Sequence, residues 1–452
     1  MGLIAQSNDS LRILTQNDFF ALIRQNHPLA KQAYLLDEVA AATLQAAKGN
    51  FDPQTFAYFN NKNFTNKNYY SLLQSGIKIP LYPGLDLKVG YDYANGYQLN
   101  PENKLPEQGQ ASVGVSVPLW QGLRIDPRRA ALQQAKVFAQ SSRNEQKIWL
   151  NELFFNAAID YWQWTKNYNE LLIAQKALQL ATQRFEWIKS NYRLGDIAAI
   201  DTLEALLQVQ TRQFELNQVQ NQYRNAAVIL DSYLWDENGR GRNISQEVQP
   251  YRTQFVVTQP PIDNNPPPVD EQHPQLQLYR FKLQNLAIDR RWKIEKLKPK
   301  LNLNYNLLGN SWLPIGNETI PIVDNYKIGV EWNMPLFRRT AKAELKLADI
   351  KIQQTQLDLQ QKQQELQAKL NVYYNEWRNN EQQIQLYQQM TQNYSRLLTA
   401  EETEFRGGES NLFIVNSREN KLVEAQNKLI DLQVKQQIIR NTILYLRNTL
   451  AD

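Results

Sequence analysis

The chain contains no cysteine, and only two histidines and three methionines among its 452 residues. Without cysteine there can be no disulfide framework, no thiolate metal site and no cysteine nucleophile, and the redox compartment leaves no mark on the sequence. No apolar run reaches the ~18 residues a transmembrane helix needs. Neither charge dominates: 50 Lys+Arg stand against 45 Asp+Glu, and with no basic tail this gives little support to nucleic-acid binding. Motifs of chemistry are missing as well. There is no P-loop, dinucleotide fingerprint, nucleophile elbow or HExxH, and the carboxylates lie among Lys, Arg and Gln along helix faces without marking out a catalytic pair. His27 and His273 each precede a proline at a helix start, which is a turn and capping feature. Neither has the further ligands nearby that a metal needs. These absences argue against an enzyme and call for no cofactor and no metal.

The amino terminus, Met1 to Asp9, has neither a basic region nor an apolar stretch of signal-peptide type. It fits a cytosolic protein or a secreted one whose signal has been removed. Length alone would suggest about three domains, but long Gln- and Asn-rich stretches point to elongated helices instead.

What the chain does contain is an internal repeat, and repeats constrain the fold before any single element does. His27-Pro28-Leu29 recurs as His273-Pro274-Gln275-Leu276, and Pro53 recurs at the same offset as Pro299. Val117-Pro118-Leu119-Trp120 recurs as Asn333-Met334-Pro335-Leu336-Phe337, and the glycine of Tyr192-Arg193-Leu194-Gly195 as Gly408 of Phe405-Arg406-Gly407-Gly408. The two halves differ chiefly by a hairpin's worth of chain inserted between Pro53 and Pro118.

Between those prolines each half reads as β. Leu85, Leu87, Val89, Tyr91 and Tyr93 alternate with polar residues and glycine, as do Val113, Val115 and Val117. In the second half Leu301, Leu303, Tyr305 and Leu307 alternate with asparagines, then Ile328, Val330, Trp332 and Met334 follow the same rule. Period two with one apolar face describes a half-buried strand; in a membrane barrel that face meets lipid, and in a soluble sheet it meets a core. Aromatics gather at the expected strand ends (Phe56, Tyr58, Tyr69, Tyr70, Tyr97, Trp120 and Trp312), where an interfacial girdle would place them, although aromatics are also ordinary strand formers.

The remainder is helical. Residues ~124 to ~194 and ~342 to ~406 carry apolar residues at three- and four-residue spacing without internal proline, and at ~1.5 Å per residue each would be about 100 Å long. The shorter helices, ~198 to ~234 with ~271 to ~297 and ~411 to ~449 with ~18 to ~48, pair into sums close to one long helix. Stacked end to end they would run beside the long helices and bring the chain ends together. The expected organisation is a first repeat at 1–235 (helix, β-excursion 51–120, long helix, tip turn 192–201, returning helix), an equatorial linker at 236–270, and a second repeat at 271–452 with β-excursion 299–337 and tip turn 405–413. The linker is too rich in Pro, Gly and Asn to continue a helix.

Helix, β-excursion, long helix, glycine turn and returning helix, given twice from about Asp18 to Leu450, resembles the TolC-like outer-membrane efflux protein family. The resemblance rests on the His-Pro helix starts, the Pro118 and Pro335 strand ends and the two glycine turns. It implies a mainly α fold with a β-barrel part: antiparallel coiled-coil helices forming an α-barrel, and transmembrane strands contributed to one barrel shared by a homotrimer. It implies an outer-membrane location reaching into the periplasm, with the signal peptide removed. The implied function is a passive exit duct of an efflux or type I secretion system that docks a periplasmic adaptor and an inner-membrane transporter. Physics agrees in part, since a few strands with open edges cannot sit in lipid and must close across subunits, and small residues such as Ala130, Ala131, Ala135 and Ala139 permit close helix packing. Lys78 to Leu85 departs from the family's single hairpin, so four to six strands per chain are expected.

Carried over position by position, the family's adaptor contacts fall on Tyr192, Arg193, Leu194, Gly195, Asp196, Phe405, Arg406, Gly407, Gly408 and Glu409. Well-formed helix caps explain the same glycines. Asp201, six residues past Gly195, and Glu204 one turn on match an acidic gate; the corresponding places in the second half hold Ile414 and Ser417, leaving Glu409 as the acid there. Arg128-Arg129 and Arg338-Arg339, at the starts of the two long helices, read as membrane-proximal or helix-packing cations. The rival reading of the whole chain is a soluble coiled-coil scaffold with a β-appendage, which requires neither the repeat nor the paired strands. The exported substrate cannot be read from the sequence, since a wide aqueous duct selects weakly.

Overall fold

The computed structural model describes residues 12–195, 198–243, 248–250, 266–309 and 325–450. Asp196, Trp312 and linker residues 244–247 and 251–265 lie outside the described residues. Two compact units emerge, one from the chain up to Leu35 with 145–274 and 362–452, the other from 36–144 and 275–361.

In the first unit, α1 (Gln16–Asn26) opens with a capping box: the Thr15 side chain accepts from the Asp18 amide, and the Asp18 carboxylate accepts from the Thr15 amide. The sequence pattern expects one helix across ~18–48, whereas the structure divides it at His27 into α1 and α2 (Pro28–Gly49). Proline disfavours the helical region for the residue before it, and His27 accordingly sits at φ −64, ψ 132. Pro28 then starts α2, where a missing N–H costs nothing.

A short strand, β1 (Arg12–Ile13), pairs in parallel with β6 (Val248–Gln249). The core gathers Phe19 and Ile23 of α1, Phe154, Ala157, Tyr161 and Trp164 of α3 (Pro127–Leu194), Leu230 of α4 (Ala199–Asp231) and Val434 of α7 (Leu412–Leu446). Polar side chains fasten its margins. The Tyr161 hydroxyl donates to the Leu14 carbonyl at 2.8 Å, and Gln16 donates to Asn441 at 2.7 Å. The Asn151 amide donates to the Tyr445 carbonyl at 2.8 Å. The first and last helices are therefore neighbours, as the helix-length arithmetic expects.

The second unit is built on a six-stranded sheet of order β2-β3-β4-β5-β7-β8, made of β2 (Gln54–Phe64), β3 (Lys67–Pro80), β4 (Asp86–Asn95), β5 (Gln110–Pro118), β7 (Lys300–Leu308) and β8 (Tyr326–Asn333). All its pairings are antiparallel. The turn at Lys78–Leu85 does join two further strands, so among the described residues the sheet has six. Thr65 and Asn66, both at positive φ, close the β2–β3 hairpin.

Register sorts the side chains. Ile79, Leu87, Val115, Tyr305 and Ile328 form one row across five strands, with Val117, Leu303 and Val330 in a neighbouring row of the same face. On the opposite face Gly114, Asn306 and Lys327 align, as do Ser116, Asn304 and Gly329. Hydrophobic side chains are not shielded at the edge: Ile328, Val330 and Trp332 of β8 are 58%, 65% and 63% exposed in the single chain. Helix α5 (Pro274–Glu295) contributes Ile288 to a small cluster with Ile125 and Ala130. Helix α6 (Arg339–Arg406) equals α3 in length, 68 residues each. No helix among the described residues is long and apolar enough to cross a membrane.

Candidate functional site

The two glycine turns form the candidate site from the sequence. Helix α3 ends at Leu194, and Gly195 follows at φ +89 with its amide bonded to the Tyr192 carbonyl at 3.1 Å. The second turn is a Schellman cap: Gly408, at φ +80, donates to the Phe405 carbonyl at 3.2 Å, and Glu409 donates to the Glu404 carbonyl at 2.9 Å. A left-handed residue is required at both places, and glycine alone adopts it without a steric penalty. Asn411 then caps α7 by accepting from the Ile414 amide at 3.1 Å.

The contact candidates divide by burial. Tyr192, Arg193, Leu194, Gly195, Arg406, Gly407, Gly408 and Glu409 are exposed, whereas Phe405 is half-buried, packed with Phe185 against Ile188, Ala205 and Leu412. Its ring lies 5.6 Å from that of Trp187. Phe405 thus helps hold the two turns together, and the exposed residues present the surface. Asp201 and Glu204 occupy the first turns of α4 and are half-buried. Asp201 stands where the helix N-terminus favours negative charge. Neither has a cation within ion-pair distance among the described residues.

Two features escaped the reading of the sequence. Ile200, Leu203, Leu207 and Phe214 of α4 are 72%, 57%, 55% and 69% exposed. Their spacing of three, four and seven residues draws an unpartnered apolar stripe of coiled-coil type along the helix, and Phe413 adds a ring that is 71% exposed at the start of α7. This spacing was available in the sequence, but its exposure was not.

The second feature is a charge network just above the turns. Glu419 of α7, buried, accepts from Arg184 of α3 at 2.6 Å and faces Arg212 of α4 at 3.4 Å. Arg184 also reaches Glu402 of α6 at 3.1 Å, and Arg212 reaches Glu215 at 2.7 Å. Asn416 accepts from Arg184, and Asn420 from Arg212. Glu419 therefore ties α3, α4 and α7 together, and Arg184 extends the network to α6 through Glu402. Burial of such charges is tolerated only when they are paired and hydrogen-bonded, and removing one partner is far costlier than replacing the set. In the sequence these residues look like any solvated helix face.

The model of the "Outer membrane efflux protein" family matches residues 78–234 and 269–448. Among solved structures, the outer membrane protein VceC from Vibrio cholerae is 14% identical, with TM-score 0.70, covering 96% of each chain. The CmeC outer membrane channel of Campylobacter jejuni is 13% identical, with TM-score 0.69, covering 96% of this chain and 86% of its own. The MtrE outer membrane channel of Neisseria gonorrhoeae, solved in an open state, is 13% identical with TM-score 0.64, covering 98% of this chain and 94% of its own. At such identities the likeness is one of fold. No match is found among curated protein sequences.

Proposed function

The chain belongs to the outer membrane efflux protein family, and from that premise we propose that it acts as the exit duct of a multi-component efflux or type I secretion system. Members of this family are outer-membrane conduits and not enzymes. In this duct three copies close their sheets into one barrel, the helices extend into the periplasm, and the glycine turns dock a periplasmic adaptor that links to an inner-membrane transporter.

The observation that carries the reading is the sheet. One face is apolar across its central strands, the other carries Asp, Lys, Asn and Ser, and β2 and β8 remain edges. Unpaired edges in hydrocarbon cost several kcal/mol per backbone group, so such a sheet must close on other copies. Six strands from each of three chains make a barrel of roughly 18, a size that leaves an aqueous lumen. The exposed stripe on α4 supports the same assembly, since it has the spacing that mates with a neighbouring helix. A soluble scaffold would have no use for an apolar outer face of this extent.

The exposed residues of the turns, with Asp196, are the adaptor surface in this reading, and Asp201 with Glu204 form an acidic constriction. The mass of the purified protein tests the assembly. A detergent-dependent species of three chains is expected; a detergent-free monomer or dimer would overturn it. For the constriction, Asp201→Ala should raise single-channel conductance or lower cation preference, and a variant indistinguishable from wild type removes Asp201 from the gate.

A further inference from the structure

A cavity of about 680 Å³ opens in the second unit where β5, β7 and β8 meet the first turns of α3 and α6. That volume suits a small organic molecule. Eight charged side chains line it, and they are not equivalent. Arg128 is held by Asp86 at 2.7 Å, and Lys296 by Glu344 at 3.0 Å. Lys300, Arg338 and Arg339, also in the lining, have no carboxylate within ion-pair distance among the described residues. Arg338 donates to the Leu297 carbonyl at 3.3 Å, and Arg339 stands 4.9 Å from the Phe337 ring centre. The sequence treats Arg128-Arg129 and Arg338-Arg339 as equivalent pairs. The structure separates them, because Asp126 and Asp86 neutralise the first pair and, among the described residues, no carboxylate attends the second.

Trp292 gives the cavity an aromatic wall, and Asn302, Asn333 and Thr340 supply polar contacts. Asn302 and Asn333 belong to the polar face of the sheet, opposite the row of Leu303 and Val330. A ligand here is therefore reached from the aqueous side and not from lipid.

We propose that this cavity binds an organic anion with an apolar body, a carboxylate, sulfonate or phosphate carried on an aromatic or aliphatic frame, as a subsite for solutes passing through the duct. The unpaired cations receive the anionic group, Trp292 receives the apolar part, and the volume excludes large solutes from the subsite. The inference rests on the reading of the polar face as the lumen.

The test uses naphthalene-1,5-disulfonate as probe on the full-length protein. Titration calorimetry in detergent should show one site per chain, with affinity reduced at least tenfold in the triple variant Lys300→Gln, Arg338→Gln, Arg339→Gln. Lys327→Gln, on the same face but outside the cavity, should bind as wild type. In planar bilayers the probe should reduce conductance of wild-type channels and spare the triple variant. No saturable binding, or binding unchanged in the triple variant, overturns the proposal. So does native mass spectrometry showing a phospholipid or lipid A released by the triple substitution, which would make the occupant a membrane lipid. Binding without channel formation would defeat the duct and leave the anion site standing; channels without binding would do the reverse.

Discussion

Replacing Glu419 by alanine should loosen the helices at the turns more than any other single polar substitution there. Glu419 is 2% exposed and faces two arginines, of which Arg212 is equally buried. Removing one partner of a buried pair costs ~3–5 kcal/mol when the other is left alone. Here the arginines are not left alone, since Arg184 keeps Glu402 and Arg212 keeps Glu215, which places the cost nearer ~2–3 kcal/mol. At 1.4 kcal/mol per factor of ten, that is roughly a 30- to 150-fold loss. Hydrogen exchange reads it directly, because local opening sets the exchange rate. Amides of 412–425 in α7 and 205–215 in α4 should exchange faster by that factor, while those around Trp164 stay unchanged. Arg212→Leu on the Glu419→Ala background should recover part of the loss. Protection reduced less than threefold in Glu419→Ala, with no recovery in the double variant, would refute the claim that this carboxylate ties α3, α4 and α7.

Gly195→Val and Gly408→Val should each cost about 1–2 kcal/mol from backbone strain, since open space surrounds the new Cβ at both positions; adaptor pull-down should weaken in both while heat-stable oligomers still form, and undiminished capture would count against the turns as the docking surface. On the sheet, Val115→Arg should lower outer-membrane yield, with ~2–4 kcal/mol expected for a cation on the lipid face, whereas Asn304→Arg on the other face should insert normally; equal yields would contradict the assignment of faces. Acid should destabilise the first unit through His27. Its Nδ1 accepts the Leu29 amide at 3.1 Å, and burial holds its pKa below the ordinary histidine value. The unfolded chain takes up the proton first as pH falls, so this stability is complete above about pH 6.5 and is lost below it. Unfolding midpoints of His27→Gln should be flatter across that window than those of wild type, and parallel profiles would dismiss the histidine.

The sequence by itself determined the architecture. The doubled His-Pro starts, strand-ending prolines and turn glycines are local signals, each fixed by the backbone conformation of one or two residues, and periods of two and of three to four are likewise local. Such features survive without any knowledge of neighbours, which is why the long helices, the β-excursions and both turns were legible. The break at His27 was legible too in its cause, though the helix pattern ran across it. What only the tertiary structure decided depends on which residues meet across hundreds of positions. Sequence periodicity left the strand count open because the Lys78–Leu85 turn could be judged only once β3 and β4 were seen to pair. Glu419 looks like surface charge until Arg184 and Arg212 are brought against it, and Arg338-Arg339 looks like Arg128-Arg129 until one pair finds carboxylates and the other does not. Charge in a helix has no direction in sequence, and burial, which turns the same carboxylate from solvated to structural, is a property of the packed neighbours alone.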